Sequence, residues 1–203
     1  MQPGRGVVLG FDGSKSGDCT ALVAVTVESE PKVKVINLWE RPVDVLDWRV
    51  PRGQVKDAIR TACRKYNVRE IAWDEWLWLD AAEELEEEGL PVVAYPQTLG
   101  RMGPATQRFY EMVTTHKIVH DGDPRLARHL ENAQLKTDSR GARLMKDARD
   151  SPRKIDLAVA AVMATDRAGW WLTQPVYDEP VYTWKDEGGE EHSKPVSEIG
   201  FVW

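Results

Sequence analysis

The chain is poor in cysteine, in long apolar runs and in net positive charge. Its two cysteines, Cys19 and Cys63, are too few for a disulfide framework, and no Cys/His pattern has metal-site spacing. No apolar run is long enough to span a bilayer, and the first residues, MQPGRG, lack the features of a signal peptide. The net charge of −6 argues against a protein that coats nucleic acid, although a local basic groove remains possible. These absences predict a reducing, cytoplasmic setting without membrane contact.

The composition is that of an ordinary globular protein. Hydrophobic residues make up 42% and charged residues 30% of the 203 residues. One domain with a real core is therefore expected, and we place it at residues 1–172. Residues 173–203 change character, with prolines, two adjacent glycines and several acids. We expect a C-terminal tail there that could be partly disordered, with short β segments such as Val181–Trp184.

Apolar patterning predicts a mixed sheet with helices packed on it. The order begins with three strands and continues as helix, strand, helix, strand. The expected strands are 7–11, 20–27, 32–39, 70–73 and 91–95, with a short extended piece at 117–120. The expected helices are 54–66, 77–88, 104–116, 123–133 and 153–170, and the Ser139-Arg140-Gly141 turn suggests a hairpin before the last of them. That last helix, RKIDLAVAAVMATDRAGW, is the most apolar in the chain.

Three aspartates stand where carboxylates are costly. Asp12 ends the first buried strand, Asp74 follows a later strand, and Asp156 lies in the first turns of the apolar helix. A carboxylate in such a place needs a cation or hydrogen-bond donors to compensate its burial. Because Mg²⁺ and Mn²⁺ prefer oxygen ligands, three acids gathered by the sheet could hold such ions.

Each of these aspartates has a simpler interpretation. Asp12 could only cap its turn, and Asp156 could only favour the positive end of a helix dipole. Glu75 could replace Asp74 as the ligand, because neighbouring strand residues point to opposite faces. Asp147 and Asp150 are typical solvated loop acids, yet either could assist as an auxiliary ligand. The histidines, including His129, are expected to be surface or packing residues.

Positive charge is concentrated just before Asp156. A basic hairpin beside an acidic metal site would hold a phosphate backbone without reading its sequence. The alternative is a solvated basic loop, and Arg101 and Arg108 could extend a groove. The residues in the concentrated set are Arg140, Arg143, Lys146, Arg149, Arg153 and Lys154.

Three segments resemble, in this order, the nuclease domain of the large terminase subunit of tailed bacteriophages. The segments are GFDGSKSGDCTAL, AWDEW and RKIDLAVAAVMA. The resemblance covers about Gly6 to Ala168 and is most specific over 117–164. It implies a ribonuclease H-like fold and metal-dependent cutting of double-stranded DNA, with little sequence specificity, during genome packaging. By resemblance, Asp12 would bridge two Mg²⁺ or Mn²⁺ ions, and Asp74 and Asp156 would each hold one side. The implied partners are DNA, an ATPase domain, a small terminase subunit and a portal, in the cytoplasm of the infected host.

The chain departs from a complete large terminase in one respect. No GxxxxGK[ST] phosphate loop is present, so we expect an excised or stand-alone nuclease that does not translocate DNA by itself. Two alternatives keep the same fold: a resolvase-like nuclease for Holliday junctions, or a non-catalytic module that docks on DNA or a portal. A phosphate-binding module of the sugar-kinase or actin type also has Asp-Gly-Ser after a strand, but the chain looks short for that two-lobed architecture.

Overall fold

A computed structural model describes residues 6–14, 19–45, 47–74, 77–138, 141–148, 151–174, 181–185 and 188–195. The strands within these ranges are β1 Gly6–Asp12, β2 Thr20–Thr26, β3 Lys32–Trp39, β4 Asn67–Trp73, β5 Val92–Ala94, β6 Val119–His120, β7 Gln134–Asp138, β8 Gly141–Met145, β9 Val181–Lys185 and β10 Glu191–Pro195. The helices are α1 Arg52–Lys65, α2 Leu79–Glu87, α3 Leu99–Thr114, α4 Pro124–Asn132 and α5 Asp156–Thr173. None of the described helices is long and apolar enough to cross a membrane.

A six-stranded mixed sheet forms the centre of the fold, in the order β5-β4-β1-β2-β3-β6. The first three strands form an antiparallel meander, whereas β4 is parallel to β1, β5 to β4, and β6 to β3. The carboxyl ends of β1, β3, β4 and β5 therefore lie at one edge of the sheet, beside the amino end of β2. We call this the carboxyl edge. The mixed α/β sheet predicted from the strand order is confirmed.

Alternating residues of the sheet build two separate cores. Val7, Leu9 and Phe11 of β1 pack with α1 and α2 on one face. Val8 of β1 instead joins the core formed with α3, α4 and α5 on the other face. Helices thus cover both faces of the central sheet, and alternating strand residues contribute to each core.

The apolar helix α5 crosses β1 at very short range. A Cβ added at Gly10 would lie 2.1 Å from the carbonyl oxygen of Ala160, so only glycine permits this approach. Farther along the helix, Arg167 pairs with Glu70, which lies opposite Val8 of β1. Successive turns of α5 thus descend toward the start of β1. The helix is antiparallel to the strand, and its amino end lies toward the carboxyl edge.

Two helix starts differ from the prediction by three residues or more. α3 begins at Leu99, five residues before the expected start, and carries Pro104 inside it. The loss of one intrahelical hydrogen bond at this proline is tolerated because Met102 of the first turn is buried in the core. α5 begins at Asp156 rather than 153, because the ladder starts with Val159 N–H donating to the carbonyl of Ile155. Asp156 is therefore the first residue of the helix.

Two hairpins complete the described structure. β7 and β8 form the predicted one, whose turn residues Ser139 and Arg140 lie outside the described residues. Ala142 of β8 is buried, and its carbonyl lies beside Gly103 of α3.

The chain divides into two units, Met1–Leu172 and Thr173–Trp203. The second unit contains the strand expected at 181–184, paired as β9 with β10. The expected partial disorder within 173–203 stays a prediction.

Candidate active site

Asp12 and Asp74 end neighbouring parallel strands at the carboxyl edge. Phe11 of β1 pairs with Trp73 of β4; Asp12 is the last residue of β1, and Asp74 directly follows β4. The backbone N–H of Asp74 donates to the carbonyl of Phe11 over 3.3 Å. The rings of Phe11 and Trp73 stack at 4.0 Å within the core on the α1 and α2 side. Strand alternation therefore puts both aspartates on the opposite face, which α5 covers.

Asp156 lies toward the same edge on the same face. Asp156 is the first residue of α5, and only 6% of its surface is exposed. One turn later comes Ala160, which meets Gly10, and Gly10 is two residues before Asp12. Because α5 is antiparallel to β1, both aspartates lie on the same side of this contact.

The three aspartates share a face and an edge, but they are not in tight contact. Among the described residues, the carboxylate oxygens of these three aspartates do not all lie within 4.8 Å of one another. A pair of ions held between them would not require such closeness, because two-metal sites separate the ions by about 3.5–4 Å. The role of Asp12, Asp74 and Asp156 as ligands stays a prediction. Glu75, the alternative to Asp74, lies outside the described residues, as does Asp150.

Gln97 is a site residue that sequence reasoning missed. It follows β5 at the carboxyl edge, and its Nε2 donates to Oδ1 of Asp12 over 3.0 Å. The same nitrogen lies 3.7 Å from the sulfur of Met163 on α5. Gln97 thus touches both the strand and the helix that carry the predicted ligands. No sequence signal identifies it, because a glutamine after a short strand is an ordinary loop residue.

A second group of ligand-type side chains gathers nearby on the same edge. Cys19 precedes β2, Glu40 follows β3, and His129 lies on α4; one potential ligand atom from each lies within 4.8 Å of the others. Burial raises the pKa of the Glu40 carboxyl, but neighbouring groups, led by the hydrogen bond and charge of Arg128, outweigh it and leave the pKa lowered. His129 is the packing residue that the sequence allowed, since it is fully buried. Spacing alone would let this group hold a metal ion.

Asp147 remains a candidate auxiliary acid. It is exposed after β8 and lies 3.8 Å from Arg153. Its pKa is lowered, first by a hydrogen bond from the Ser151 hydroxyl and also by the charge of Arg153. Asp147 is therefore ionised at neutral pH.

The predicted basic residues differ in accessibility. Arg140 and Arg149 lie outside the described residues. Arg143 of β8 and Lys146 are half-buried, whereas the side chain of Arg153 is 65% exposed. Their role in DNA binding stays a prediction.

Arg101 and Arg108 both have partners within the protein. The guanidinium of Arg101 lies 4.1 Å from the centre of the Tyr95 ring, and Arg108 forms an ion pair with Asp166. Tyr95 also donates to Asp166 over 2.9 Å. These contacts fasten α3 and the end of β5 to α5, which supports the helix carrying Asp156.

Comparison with known proteins identifies the family. The model of the terminase large subunit endonuclease domain matches residues 49–170. The chain is also 32% identical over 177 residues, 81% of its length, to the Gene 13 protein of Mycobacterium phage D29. This chain belongs to the terminase large subunit endonuclease family. It spans 29% of the length of that phage relative.

Solved terminase structures have the same fold. The large terminase of bacteriophage HK97 superposes with a TM-score of 0.68 at 22% identity, over 82% of this chain and 40% of that chain. The magnesium-bound large terminase nuclease of thermophilic phage G20c superposes with a TM-score of 0.58 at 16% identity, over 80% of this chain and 82% of that chain. The G20c nuclease has also been solved with cobalt and with zinc. The predicted ribonuclease H-like fold and nuclease family are confirmed.

Proposed function

We propose that this terminase nuclease hydrolyses double-stranded DNA with little sequence specificity, using two Mg²⁺ or Mn²⁺ ions held by Asp12, Asp74 and Asp156. The observation that carries the proposal is the register of β1 and β4 together with the antiparallel crossing of α5. Through these contacts, three carboxylates far apart in sequence share one face at one edge of the sheet. The magnesium, cobalt and zinc complexes of the G20c nuclease support a metal-dependent reaction.

The donor set fits hard divalent cations. Mg²⁺ and Mn²⁺ take carboxylate oxygens, and the three predicted ligands all supply them. Bound ions would activate water and stabilise the charge that develops on the phosphate and on the leaving oxygen. Asp12 lies on β1, which contacts both β4 and α5, and it would bridge the ions. Asp74 and Asp156 would each hold one side. Gln97 would orient Asp12 by donating to its Oδ1.

The basic segment between β7 and α5 would hold the DNA backbone. β8 is anchored by Ala142 against α3, and ten residues separate its last residue, Met145, from Asp156. Arg153 and its neighbours, which would bind a phosphate, are therefore close in sequence to the predicted ligand Asp156. Such contacts give affinity without base recognition. By family membership, the partners in a packaging motor would be an ATPase domain, a small terminase subunit and a portal, within the infected host.

Ligand substitutions test the catalytic proposal. Asp12→Asn, Asp74→Asn and Asp156→Asn should each abolish plasmid cleavage in Mg²⁺ or Mn²⁺ and weaken Mn²⁺ binding measured by calorimetry. Asp57→Asn is the matched control, because Asp57 is an exposed aspartate on α1, across the sheet from the site. It should cleave like the wild type. Full activity of Asp12→Asn would refute the assignment.

Substrate comparisons test the DNA proposal. Linear duplexes of unrelated sequence should be cut at similar rates, whereas a four-way junction cut far faster would favour the resolvase alternative. DNA binding without cleavage in any metal would favour a docking module. Arg153→Ala should reduce the slope of log affinity against log salt by about 1, because one phosphate contact is lost. Arg64→Ala, an exposed charge on α1, should leave that slope unchanged.

A further inference from the structure

The amino end of the helix that carries Asp156 is capped by a side chain from another helix. Its first-turn N–H groups need acceptors from outside the helix, and the preceding side chain usually supplies one. Here the preceding residue is Ile155, which has no side-chain acceptor. The N–H of Leu157 instead donates to Nδ1 of His129, on α4, over 3.0 Å. A residue 28 positions earlier in the chain thus performs the capping.

A second hydrogen bond from α4 holds the other side of Asp156. Asn132 lies one turn after His129, and its Nδ2 donates to the carbonyl of Lys154 over 3.0 Å. One helix face therefore fixes the backbone two residues before Asp156 and one residue after it. His129 is fully buried, so water does not compete for its bond.

The hydrogen bond to Leu157 also fixes the tautomer of His129. Because Nδ1 accepts a hydrogen bond, the neutral ring carries its own hydrogen on Nε2. That nitrogen lies 3.7 Å from Oε1 of Glu40, and Arg128 donates to Oε2 of the same carboxylate over 2.6 Å. A metal ion at Nε2 would need the lone pair that this hydrogen occupies. The hydrogen bond from Leu157 therefore argues against metal binding at Nε2 in the group Cys19, Glu40 and His129.

We propose that His129, whose Nε2 faces the Glu40 carboxylate at 3.7 Å, is a positioning residue that fixes Asp156 for metal binding. The proposal rests on the proposed function, because it takes Asp156 as a metal ligand. Side chains that orient metal ligands typically change metal affinity or activity about 10- to 100-fold when they are replaced. We expect an effect of that size on the metal requirement of this nuclease.

The test compares two substitutions that differ in the acceptor they leave. His129→Leu removes the acceptor for the Leu157 N–H, whereas His129→Asn keeps an oxygen near the position of Nδ1. His129→Leu should raise the Mn²⁺ concentration for half-maximal cleavage, and the dissociation constant for Mn²⁺ by calorimetry, by about 10- to 100-fold. His129→Asn should restore both to within about threefold of the wild type. Glu40→Gln should shift both in the same direction as His129→Leu, but less.

Several results would overturn the proposal. One is an unchanged Mn²⁺ dissociation constant in a folded His129→Leu variant. Another, useful if that variant does not fold, is a His129→Asn protein that folds but binds Mn²⁺ as poorly as Asp156→Asn. A third is tight Zn²⁺ binding that both Cys19→Ser and His129→Asn abolish, which would make the group a metal site. The Mn²⁺ measurements need no DNA, so wild-type protein that binds Mn²⁺ without cutting would refute the proposed function and leave the positioning test intact.

Discussion

Gly10→Ala tests the contact that brings α5 onto β1. The new Cβ would lie 2.1 Å from the carbonyl oxygen of Ala160, and also 3.0 Å from Cβ of Ala164. Contacts below 3.0 Å essentially do not occur, so strand and helix must separate by at least 0.9 Å, the difference between 3.0 and 2.1. The obstructing atom belongs to the backbone and cannot rotate away. We therefore expect a loss of about 3 kcal/mol in the free energy of unfolding, at the upper end for overpacking.

The same displacement should reduce nuclease activity beyond its effect on stability. Asp12 follows Gly10 on β1, and Asp156 precedes Ala160 on α5, so their separation depends on this contact. A misplacement of about 1 Å within a catalytic constellation can lower the rate about 100-fold. Under the proposed function, Gly10→Ala should show that loss at temperatures where the variant remains folded.

Thermal unfolding and plasmid cleavage measure the two effects. A loss of about 3 kcal/mol corresponds to a Tm lower by roughly 6–12 °C in a domain of this size. Gly169→Ala is the matched control, because it lies on the same helix and its added Cβ meets nothing within 4 Å. It should be as stable as the wild type or more so, by up to about 1 kcal/mol of helix propensity, and fully active. A Gly10→Ala protein as stable as Gly169→Ala would refute the close crossing.

Glu70→Gln should cost about 3–5 kcal/mol in chemical denaturation, because it leaves Arg167 without its buried carboxylate partner; a loss below about 1 kcal/mol would contradict this. Burial raises the pKa of the Cys63 thiol to about 11, so in a Cys19→Ser background its reaction with iodoacetamide should accelerate about tenfold per pH unit from pH 8 to 10, and a plateau near pH 9 would refute the shift. Asp123→Ala removes the cap of α4 and should cost about 1 kcal/mol at pH 7. Since hydrogen bonding to Arg125 lowers the pKa of Asp123, that difference should persist down to its ordinary value of 3.8 and disappear only as the pH falls through the lowered pKa; a difference already lost at pH 5 would contradict this.

Local patterns predicted the strands and the core well, because a strand and its buried face are set by residues close together in sequence. Trp73, at the end of the strand predicted at 70–73, is fully buried. The start of α3 could not be predicted in the same way. Pro104 is a strong local signal for a helix start, but the burial of Met102 depends on which surface the preceding turn meets. Tertiary packing decided that boundary against propensity.

The surroundings of the candidate site were predicted less well, since they come from distant parts of the chain. Gln97 touches Asp12 across 85 positions, and Glu40 approaches His129 only because β3 and α4 end near the same edge. The sequence carries one usable signal for the second contact. His129 lies three residues after Leu126, on the buried face of α4, where a polar side chain needs a partner. Which partner it finds depends on the topology of the sheet.

The position of Asp156 bears on its simplest interpretation, that it only favours the positive end of a helix dipole. That interaction contributes about 0.3–1 kcal/mol at an exposed site, and a surface aspartate obtains it without desolvation. Asp80, in the first turn of α2, is such a residue: its side chain is 75% exposed, and it pairs with Arg52. Asp156 is only 6% exposed, and burying a carboxylate costs more than the dipole returns. The dipole alone therefore does not account for its burial, which requires compensation by hydrogen-bond donors or by a cation.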